Sequence, residues 1–506
     1  MDGLQLHRVI VFLPIFGAII LATLINGTRN IRLFAAIVAI ADLSLAILAF
    51  LCYKTSGQTG FALIDQFNWV NSTNINIQYQ LGIDGISAPL ILLTGILGFC
   101  AVFASWSVKS RVKEYFVWLL ILQTSVMGVF ASLDLLMFFM FWELELIPMY
   151  FLISIWGSGR KEYSAMKFLM FTILGSVFML ISIVAIFLSP GINTFDIIKL
   201  SEQGISTSAL IIPASVAFWF FFVAFAVKLP IWPLHTWLPD AHTDAPTAVS
   251  VMLAGVLLKM GGYGLIRISV GLFPELARSY AHVIAILAVI GVLYGALVTL
   301  RQTDLKRLIA YSSISHMGLV LLGIASIGIG STYVSPVGLT GAAMQMFTHG
   351  TIAGLLFLMV GLIYERTHTR YIPDLGGIAS KMPVISVAFV IAGLASLGLP
   401  GLSGFAAEIL VFLGAFQSFP WHTGLAAFGI VLAAGYILWM IQRVLFGAER
   451  SRFSELSDVT AIEAIPVVVL VVSIISIGIY PALITDVFII GVENITNLVA
   501  QIGEIS

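Results

Sequence analysis

The chain has 506 residues, of which 60% are hydrophobic and only 10% charged, and its mean hydropathy is +1.06. Soluble domains are about 45 to 50% apolar and about 25% charged, so this composition indicates a membrane protein. The net charge of -1 gives no sign of a polyanionic partner, and Cys52 and Cys100 lie inside apolar stretches, which excludes a disulfide framework and a multi-cysteine metal cluster.

Apolar stretches follow one another along the whole chain. A membrane helix needs roughly 20 mostly apolar residues because hydrocarbon cannot satisfy free peptide groups. Arg8 precedes the first stretch as in a signal peptide, but no small-residue cleavage site follows, so we predict an uncleaved span. We predict an all-α, polytopic membrane protein with about 14 transmembrane helices. The approximate spans are 9–26, 31–53, 86–106, 114–132, 135–156, 166–188, 209–231, 246–270, 281–300, 308–328, 341–364, 384–412, 422–446 and 462–486.

The distribution of basic residues predicts the orientation of these spans, because Lys and Arg concentrate in cytoplasmic loops. Sixteen of the 24 basic residues follow odd-numbered spans, namely Arg29, Arg32, Lys109, Arg111, Lys113, Arg160, Lys161, Arg301, Lys306, Arg307, Arg366, Arg370, Lys381, Arg443, Arg450 and Arg452. Both termini are therefore expected on the outer side of the membrane. The asparagine-rich stretch 54–85 is expected to be a folded loop on that side, with a connecting rather than a functional role.

The fifth span places two carboxylates, Glu143 and Glu145, near its middle. An ionisable group at mid-bilayer costs at least about 2.5 to 3.5 kcal/mol, so each needs a partner, a hydrated cavity or a function. Helical positions two apart point to well-separated faces, so we predict that one acid faces the proton path and the other a neighbouring helix. Periodicity leaves open which acid takes which role.

Lys228 ends the seventh span directly ahead of Pro230 and Pro233. Proline removes a backbone donor and blocks the carbonyl four residues earlier, so the helix should break beside the lysine. Broken membrane helices typically bind ions, and a desolvated lysine can exchange its proton near neutral pH. The alternative is an ammonium that reaches the membrane surface from a helix end, and the coincidence of break and charge favours function.

Two further spans carry the same kind of signal. Lys259 lies deep in the eighth span, where Gly261 and Gly262 would allow another helix to approach, and it is predicted to be a relay site rather than part of a structural ion pair. In the twelfth span a break at Pro400 precedes the buried Glu408. Two interrupted helices at corresponding positions of two halves indicate an inverted-repeat transporter.

Other polar residues within the spans are less decisive. His316, His349 and Lys167 could each act as auxiliary relay residues or be hydrogen-bonded structure, and the sequence does not decide between these. His235, Asp240, His242 and Asp244 form a group that suggests a metal site. Their irregular spacing in a proline-rich segment favours loop capping instead, so no metal site is predicted.

Four segments of the chain match one known family, and the resemblance runs over essentially the full length of the chain. The matching segments are LGIDGIS at 81–87, FWE at 141–143, LHTWLPDAH at 234–242 and LIAYSS at 308–313. The sequence resembles the antiporter-like membrane subunits of respiratory NADH:quinone oxidoreductase, or complex I. The acid on the twelfth helix, and the absence of a long lateral helix, are typical of subunit M (NADH dehydrogenase subunit 4) rather than of subunits L and N.

The resemblance implies four proton-translocating residues, Glu143, Lys228, Lys259 and Glu408, with Glu145 as an addition that the family pattern does not require. It implies a Lys228–Glu143 ion pair whose separation releases the lysine's proton, and transfer through Lys259, helped by His316 or His349, to Glu408.

It also implies an architecture. Helices 1–3 (1–113) precede two inverted five-helix repeats (114–272 and 273–447) with discontinuous helices 7 and 12, and a last helix follows (448–506).

The resemblance further implies a bacterial inner-membrane protein that lies among other complex I subunits, especially L and N, and in contact with lipid, without nucleic acid. NADH, FMN, iron-sulfur clusters and quinone are expected in partner subunits, with no cofactor in this chain. A cation/proton antiporter subunit, a membrane hydrogenase subunit and a purely structural scaffold remain the alternatives.

Overall fold

The computed structural model of the chain describes residues 3–71, 76–203, 205, 210–328, 336–453 and 455–503, most of which are helical. The helices of the first half are α1 Gly3–Thr23, α2 Thr28–Ser56, α3 Ser87–Ala104, α4 Val112–Ala131, α5 Leu135–Leu144, α6 Leu146–Trp156, α7 Lys161–Phe187, α8 Ile197–Gln203, α9 Ala214–Lys228, α10 Trp237–Asp244, α11 Thr247–Met252 and α12 Leu258–Gly264. Those of the second half are α13 Pro274–Ser279, α14 Ala281–Leu300, α15 Leu305–Ala325, α16 Pro336–Thr367, α17 Pro383–Ser396, α18 Ser403–Ser418, α19 Pro420–Leu445, α20 Ala461–Ile479 and α21 Ala482–Gly503.

Helices account for each of the apolar stretches found in the sequence. Eleven continuous helical segments are long and apolar enough to cross a membrane, within the described residues. Shorter apolar helices, among them α1, α9, α17 and α18, correspond to the first, seventh and twelfth predicted spans. The chain is therefore a mostly helical, multi-pass membrane protein.

The two predicted interruptions are present. In the seventh span α9 ends at Lys228 and α10 begins at Trp237, on the far side of Pro230. The carbonyl groups freed by this break find other donors, because the backbone N–H of Ile231 donates to Ala226 and the Trp237 indole donates to Val227 at 2.9 Å. In the twelfth span α17 ends at Ser396 and α18 begins at Ser403. Irregular backbone is tolerated at membrane depth where its polar groups form hydrogen bonds within the protein.

Two further spans are distorted in ways that the sequence analysis does not predict. The fifth span changes from α5 to α6 at Glu145, because Pro148 cannot donate to the carbonyl of Leu144. The eighth span contains two π-helical turns, Leu253–Leu257 and Leu265–Val270, on either side of α12. Turns of this kind are rare and often mark functional sites.

The all-α prediction is wrong for the stretch between α2 and α3, which is folded as expected but as a β-hairpin. Strands β1 Ala62–Asn71 and β2 Asn76–Ile83 pair antiparallel. The hairpin is tied to α1, because the Arg8 guanidinium donates to both carboxylate oxygens of the buried Asp65. The alternation of polar and apolar residues from Asn76 to Ile83 is the pattern of a half-buried strand, and the loop prediction did not take it into account.

The centre of the molecule is formed by the eighth, tenth and eleventh spans. The segment Thr247–Val270 and the apolar part of α16 are completely buried, and α15 is nearly so. In contrast α2, α7, α19 and α20 expose large apolar side chains on one face. A lysine or histidine on the central helices is therefore surrounded by protein, whereas the peripheral helices present an apolar surface to lipid or to other subunits.

Candidate functional site

Four buried ionisable side chains follow one another through the centre of the helix bundle. The Lys259 ammonium on α12 lies 2.9 Å from Nδ1 of His349 on α16. The His349 and His316 rings, on α16 and α15, have centroids 5.4 Å apart. Nδ1 of His316 lies 3.6 Å from a carboxylate oxygen of Glu408 on α18. The order Lys259, His349, His316, Glu408 is thus continuous in space, and all four residues are at most 5% exposed.

Local backbone geometry positions Lys259. Its ammonium donates to the carbonyl of Ala254, which belongs to the π-helical turn directly before α12. Gly261 lies against the backbone after Lys228, where a Cβ would meet the N atom of Leu229 at 2.6 Å. The glycine therefore lets the eighth span pack directly on the break in the seventh, as the sequence analysis expects for this position.

The break between α17 and α18 positions Glu408. Gly398 in this break has φ +77°, and a Cβ there would lie 2.4 Å from a Glu408 carboxylate oxygen. The carboxyl group thus packs against the interrupted backbone. Ser396, the last residue of α17, lies with its hydroxyl 3.1 Å from Nε2 of His316, so the same break also contacts the histidine.

Lys228 forms an ion pair with Glu145, which corrects the expected Lys228–Glu143 pair. Both partners are at most 1% exposed, and the rings of Trp142 and Phe168 lie 5.0 and 5.6 Å from the ammonium. The distortion of the fifth span at Glu145 turns this residue toward α9. The Glu143 carboxylate lies near Ser176 on α7 and within electrostatic range of Lys228. The geometry thus assigns the two acids to different partners, a choice that helical periodicity alone leaves open.

Lys167 pairs with another residue of the site region. Its ammonium lies 2.7 Å from a carboxylate oxygen of Asp240 on α10, and both side chains are partly exposed. The structure therefore brings Lys167 to the second half of the broken seventh span rather than into contact with Glu143.

The four residues that suggested a metal site contact different partners; they are His235, Asp240, His242 and Asp244. Asp240, His242 and Asp244 belong to the helix α10 rather than to a loop, which corrects the loop-capping interpretation. The His242 ring stacks on Phe357, and Asp244 accepts a hydrogen bond from Ser164 at 2.6 Å. His235 lies 3.3 Å from the Tyr294 hydroxyl.

Asp42, a buried acid at the middle of α2, is not among the residues predicted from the sequence. Its carboxylate lies 2.5 Å from the side-chain nitrogen of Gln123 on α4, and both residues are at most 1% exposed. Gly98 on α3 makes room for this contact, because a Cβ there would overlap the Gln123 amide. The signal was present, since Asp42 stands in an apolar stretch just as Glu408 does.

Arg267 and Asp84 form a buried ion pair that joins the second π-helical turn to the LGIDGIS segment. Arg267 is 7% exposed and also lies 4.9 Å from the Phe61 ring. The Asp84 carboxylate additionally accepts backbone N–H groups of Ile86 and Ser87 at the start of α3. The pair therefore connects the hairpin, α3 and the eighth span.

The sequence matches the family described as "NADH:quinone oxidoreductase/Mrp antiporter, TM" over residues 132–433. It is 41% identical over 502 residues to NAD(P)H-quinone oxidoreductase chain 4 1 of Synechococcus elongatus, which covers 97% of this chain and 91% of the relative. It is 39% identical over 497 residues to NADH-quinone oxidoreductase subunit M of Rhodobacter capsulatus, covering 95% and 94% of the two chains. A chain in the structure of respiratory complex I from Thermus thermophilus with bound NADH superposes with a TM-score of 0.87 at 28% identity, covering 97% and 99%.

Proposed function

Because this chain belongs to the NADH-quinone oxidoreductase subunit M (chain 4) family, we propose that it is a proton-translocating membrane subunit of such an enzyme. In this role it couples electron transfer in partner subunits to proton transport across the membrane. The observation that carries the proposal is the continuous buried row from Lys259 through His349 and His316 to Glu408.

The chemistry of the row fits proton transfer. Lysine, histidine and glutamate each bind and release a proton, and histidine can accept at one ring nitrogen while it donates from the other. The His316 and Glu408 side chains are separated by 3.6 Å, which is longer than a hydrogen bond. A small rotation of either side chain, or one bridging water molecule, would let the proton pass. Proton transfer between His316 and Glu408 can therefore be switched on and off.

Lys228 supplies the link to the driving force. A buried ammonium is stabilised by its carboxylate partner, and separation of the two favours loss of its proton. Lys228 is the last residue of α9, so the break in the span begins directly after it. Charge movement in a neighbouring subunit would displace the ion pair and so send a proton toward Lys259.

The wider assignments follow from the same role. We place the chain in the inner membrane of a bacterium. Both termini are assigned to the outer side, because most basic residues lie in loops on the opposite side. Antiporter-like subunits L and N are the proposed neighbours. NADH, FMN, iron-sulfur clusters and quinone are assigned to partner subunits. The two interrupted spans support division into inverted repeats at 114–272 and 273–447, between helices 1–3 (1–113) and the last segment (448–506).

The test is Lys228→Ala in inverted membrane vesicles. With a fully assembled complex, NADH-driven proton uptake should fall to a small fraction of the normal rate. Lys109→Ala changes an exposed lysine and serves as the matched control. Undiminished uptake by the assembled Lys228 variant would refute the role.

A second candidate is a subunit of a cation/proton antiporter, because the matching family description also names the Mrp antiporter. The subunits that co-purify with the chain distinguish the two. Partner subunits that carry flavin and iron-sulfur clusters support the oxidoreductase, and a purely membrane-embedded assembly supports the antiporter.

A further inference from the structure

Two histidines meet at one end of the helix bundle, outside the row of buried ionisable groups. His282 lies in the first turn of α14 and His422 in the first turn of α19. Their ring centroids are 4.9 Å apart, and the ring planes are nearly perpendicular at 82°. We refer to His282 and His422 as the surface histidine pair. They are not among the residues predicted from the sequence, because their positions are far apart in the chain.

The ring nitrogens of the surface histidine pair are free. Neither ring forms a hydrogen bond or an ion pair with the residues that the structure describes. His282 is exposed and His422 is partly exposed, so an ion can reach both rings from outside the protein. Phe419 is 6% exposed and packs against both rings, with centroids 5.9 and 5.6 Å away. The phenylalanine therefore holds the two imidazoles in place without using their nitrogens.

The other two histidines that lie close together differ in this respect. His316 and His349 have ring centroids 5.4 Å apart, but both residues are at most 5% exposed. Nδ1 of His349 faces the Lys259 ammonium at 2.9 Å, and Nε2 of His316 faces the Ser396 hydroxyl at 3.1 Å. These nitrogens already have partners within the protein, so this buried pair is closed to an external ligand.

The spacing of the surface histidine pair fits a shared metal ion. Imidazole nitrogen is a ligand that suits Zn²⁺, Cu²⁺ and Ni²⁺. A tetrahedral Zn²⁺ bound to two imidazole nitrogens at about 2.0 to 2.1 Å places the ring centroids about 5 Å apart. The observed separation of 4.9 Å agrees with this geometry. The described residues contain no group of three or more metal-binding side chains, so water would fill the remaining positions around the ion.

The charge at the two helix starts has opposing effects on such a site. The first turn of a helix carries partial positive charge, which disfavours any cation but is screened by salt at an exposed end. The same charge disfavours the protonated imidazolium form. Because only a neutral imidazole binds a metal, the helix starts keep the two nitrogens available.

We propose that His282 and His422 form a binding site for one divalent transition-metal ion such as Zn²⁺. The site is independent of the proposed function. The ion is bound through the two ring nitrogens and keeps its charge. Hard cations such as Mg²⁺, which prefer oxygen ligands, are excluded. A bound ion joins the first turn of α14 to that of α19. These two helices pack against α15 and α18, which carry His316 and Glu408.

The first test counts bound zinc. The protein is purified with its co-purifying subunits and without a histidine tag, dialysed against Zn²⁺ at buffered free concentrations, and analysed by atomic emission. Removal of an outer partner of a metal ligand weakens binding about 10- to 100-fold, so loss of a ligand should cost at least this much. We therefore expect His282→Ala and His422→Ala each to weaken the binding of one Zn²⁺ per chain at least about tenfold.

His368→Asn is the matched control, because it removes an exposed imidazole elsewhere in the chain. Asparagine tolerates the φ of +54° at this position. The control should bind the same amount of zinc as the unchanged protein. If all four proteins bind equal amounts of Zn²⁺ at every concentration, the site does not exist.

The second test separates metal binding from packing. His422→Phe keeps an aromatic ring against Phe419 but has no nitrogen ligand, so it should lose zinc binding as completely as His422→Ala. Normal zinc binding by His422→Phe overturns the proposal. Mg²⁺ added at the same concentration should not displace Zn²⁺ from the unchanged protein, and displacement by Mg²⁺ would also contradict a site made of imidazoles.

Discussion

Lys259 and His349 face each other across α12 and α16, with the ammonium 2.9 Å from Nδ1 of the ring. A charged lysine has only donors, so in this contact Nδ1 must be the acceptor and the ring proton of a neutral His349 must be on Nε2. A proton received at Nδ1 from Lys259 can therefore leave from Nε2. After this transfer the ring proton of His349 is on Nδ1, so it must return to Nε2 before a second proton can follow.

Replacement of His349 should interrupt the row at its second member. His349→Ala removes both the acceptor for Lys259 and the neighbour of His316. We expect NADH-driven proton uptake by the assembled complex to fall about 100-fold, the low end of typical contributions from a positioned proton-transfer group. Lys109→Ala, at an exposed position, is the control and should pump normally. Equal uptake by the two variants would remove His349 from the pathway.

Gly398 should be intolerant of a side chain. A Cβ at this position would lie 2.4 Å from the Glu408 carboxylate, and the φ of +77° adds strain of about 1 to 3 kcal/mol. Gly398→Ala is expected to displace Glu408, lower the melting temperature and reduce pumping. Gly424→Ala, where no atom lies within 4 Å of the added Cβ, should leave both measurements unchanged. Normal pumping by Gly398→Ala would show that the position of Glu408 is not critical.

The buried pair of Arg267 and Asp84 should stabilise the fold rather than move protons. Arg267→Met leaves the Asp84 carboxylate buried without its cation, at a cost of about 3 to 5 kcal/mol. We expect a lower melting temperature and a lower yield of assembled complex, both partly restored by adding Asp84→Asn. Arg301→Met, at an exposed site, is the control. If Asp84→Asn worsens the defect of Arg267→Met, the two residues are not acting as a pair.

Asp134, the residue that caps α5, should make stability depend on pH. Burial is the main cause that raises its pKa from 3.8 to about 6; hydrogen bonds from Met137 and Leu136 oppose the shift, and the nearby Asp196 adds to it. The folded state thus binds a proton more tightly than the unfolded state. The resulting stabilisation, about 3 kcal/mol, is complete below about pH 4 and is lost as pH rises through about 6.

The check is Asp134→Asn, which keeps the capping oxygen and removes the charge. The melting temperature of the variant relative to the unchanged protein should rise between pH 4 and pH 7. A difference that stays constant over this interval would show that Asp134 has the same pKa in the folded and unfolded states.

The sequence was sufficient to predict features set by one residue or by local composition. The breaks beside Lys228 and before Glu408 follow from Pro230 and Pro400, whose effect on a helix does not depend on distant parts of the chain. The burial of Lys259 follows from the apolar residues around it. The resemblance added the expectation that these groups form one row; the contacts connect Lys259 through His349 and His316 to Glu408, whereas Lys228 contacts Glu145.

Features that depend on packing between distant segments could not be predicted. Periodicity leaves open which acid meets Lys228, and the contact is made by Glu145, which stands at the junction of α5 and α6. The π-helical turns around Lys259 arise in a span that packs on all sides, and no residue type signals them. The hairpin is held by the Arg8–Asp65 contact, whose partners are 57 positions apart.

The most direct test of the account is the number of protons moved per NADH oxidised by purified complex reconstituted in vesicles, with Lys259→Met compared against the unchanged protein. Lys259 is the only lysine in direct contact with the histidines of the row among the described residues. If the row conducts protons, the assembled Lys259→Met complex moves clearly fewer protons per NADH oxidised. An unchanged ratio in the fully assembled variant would contradict it.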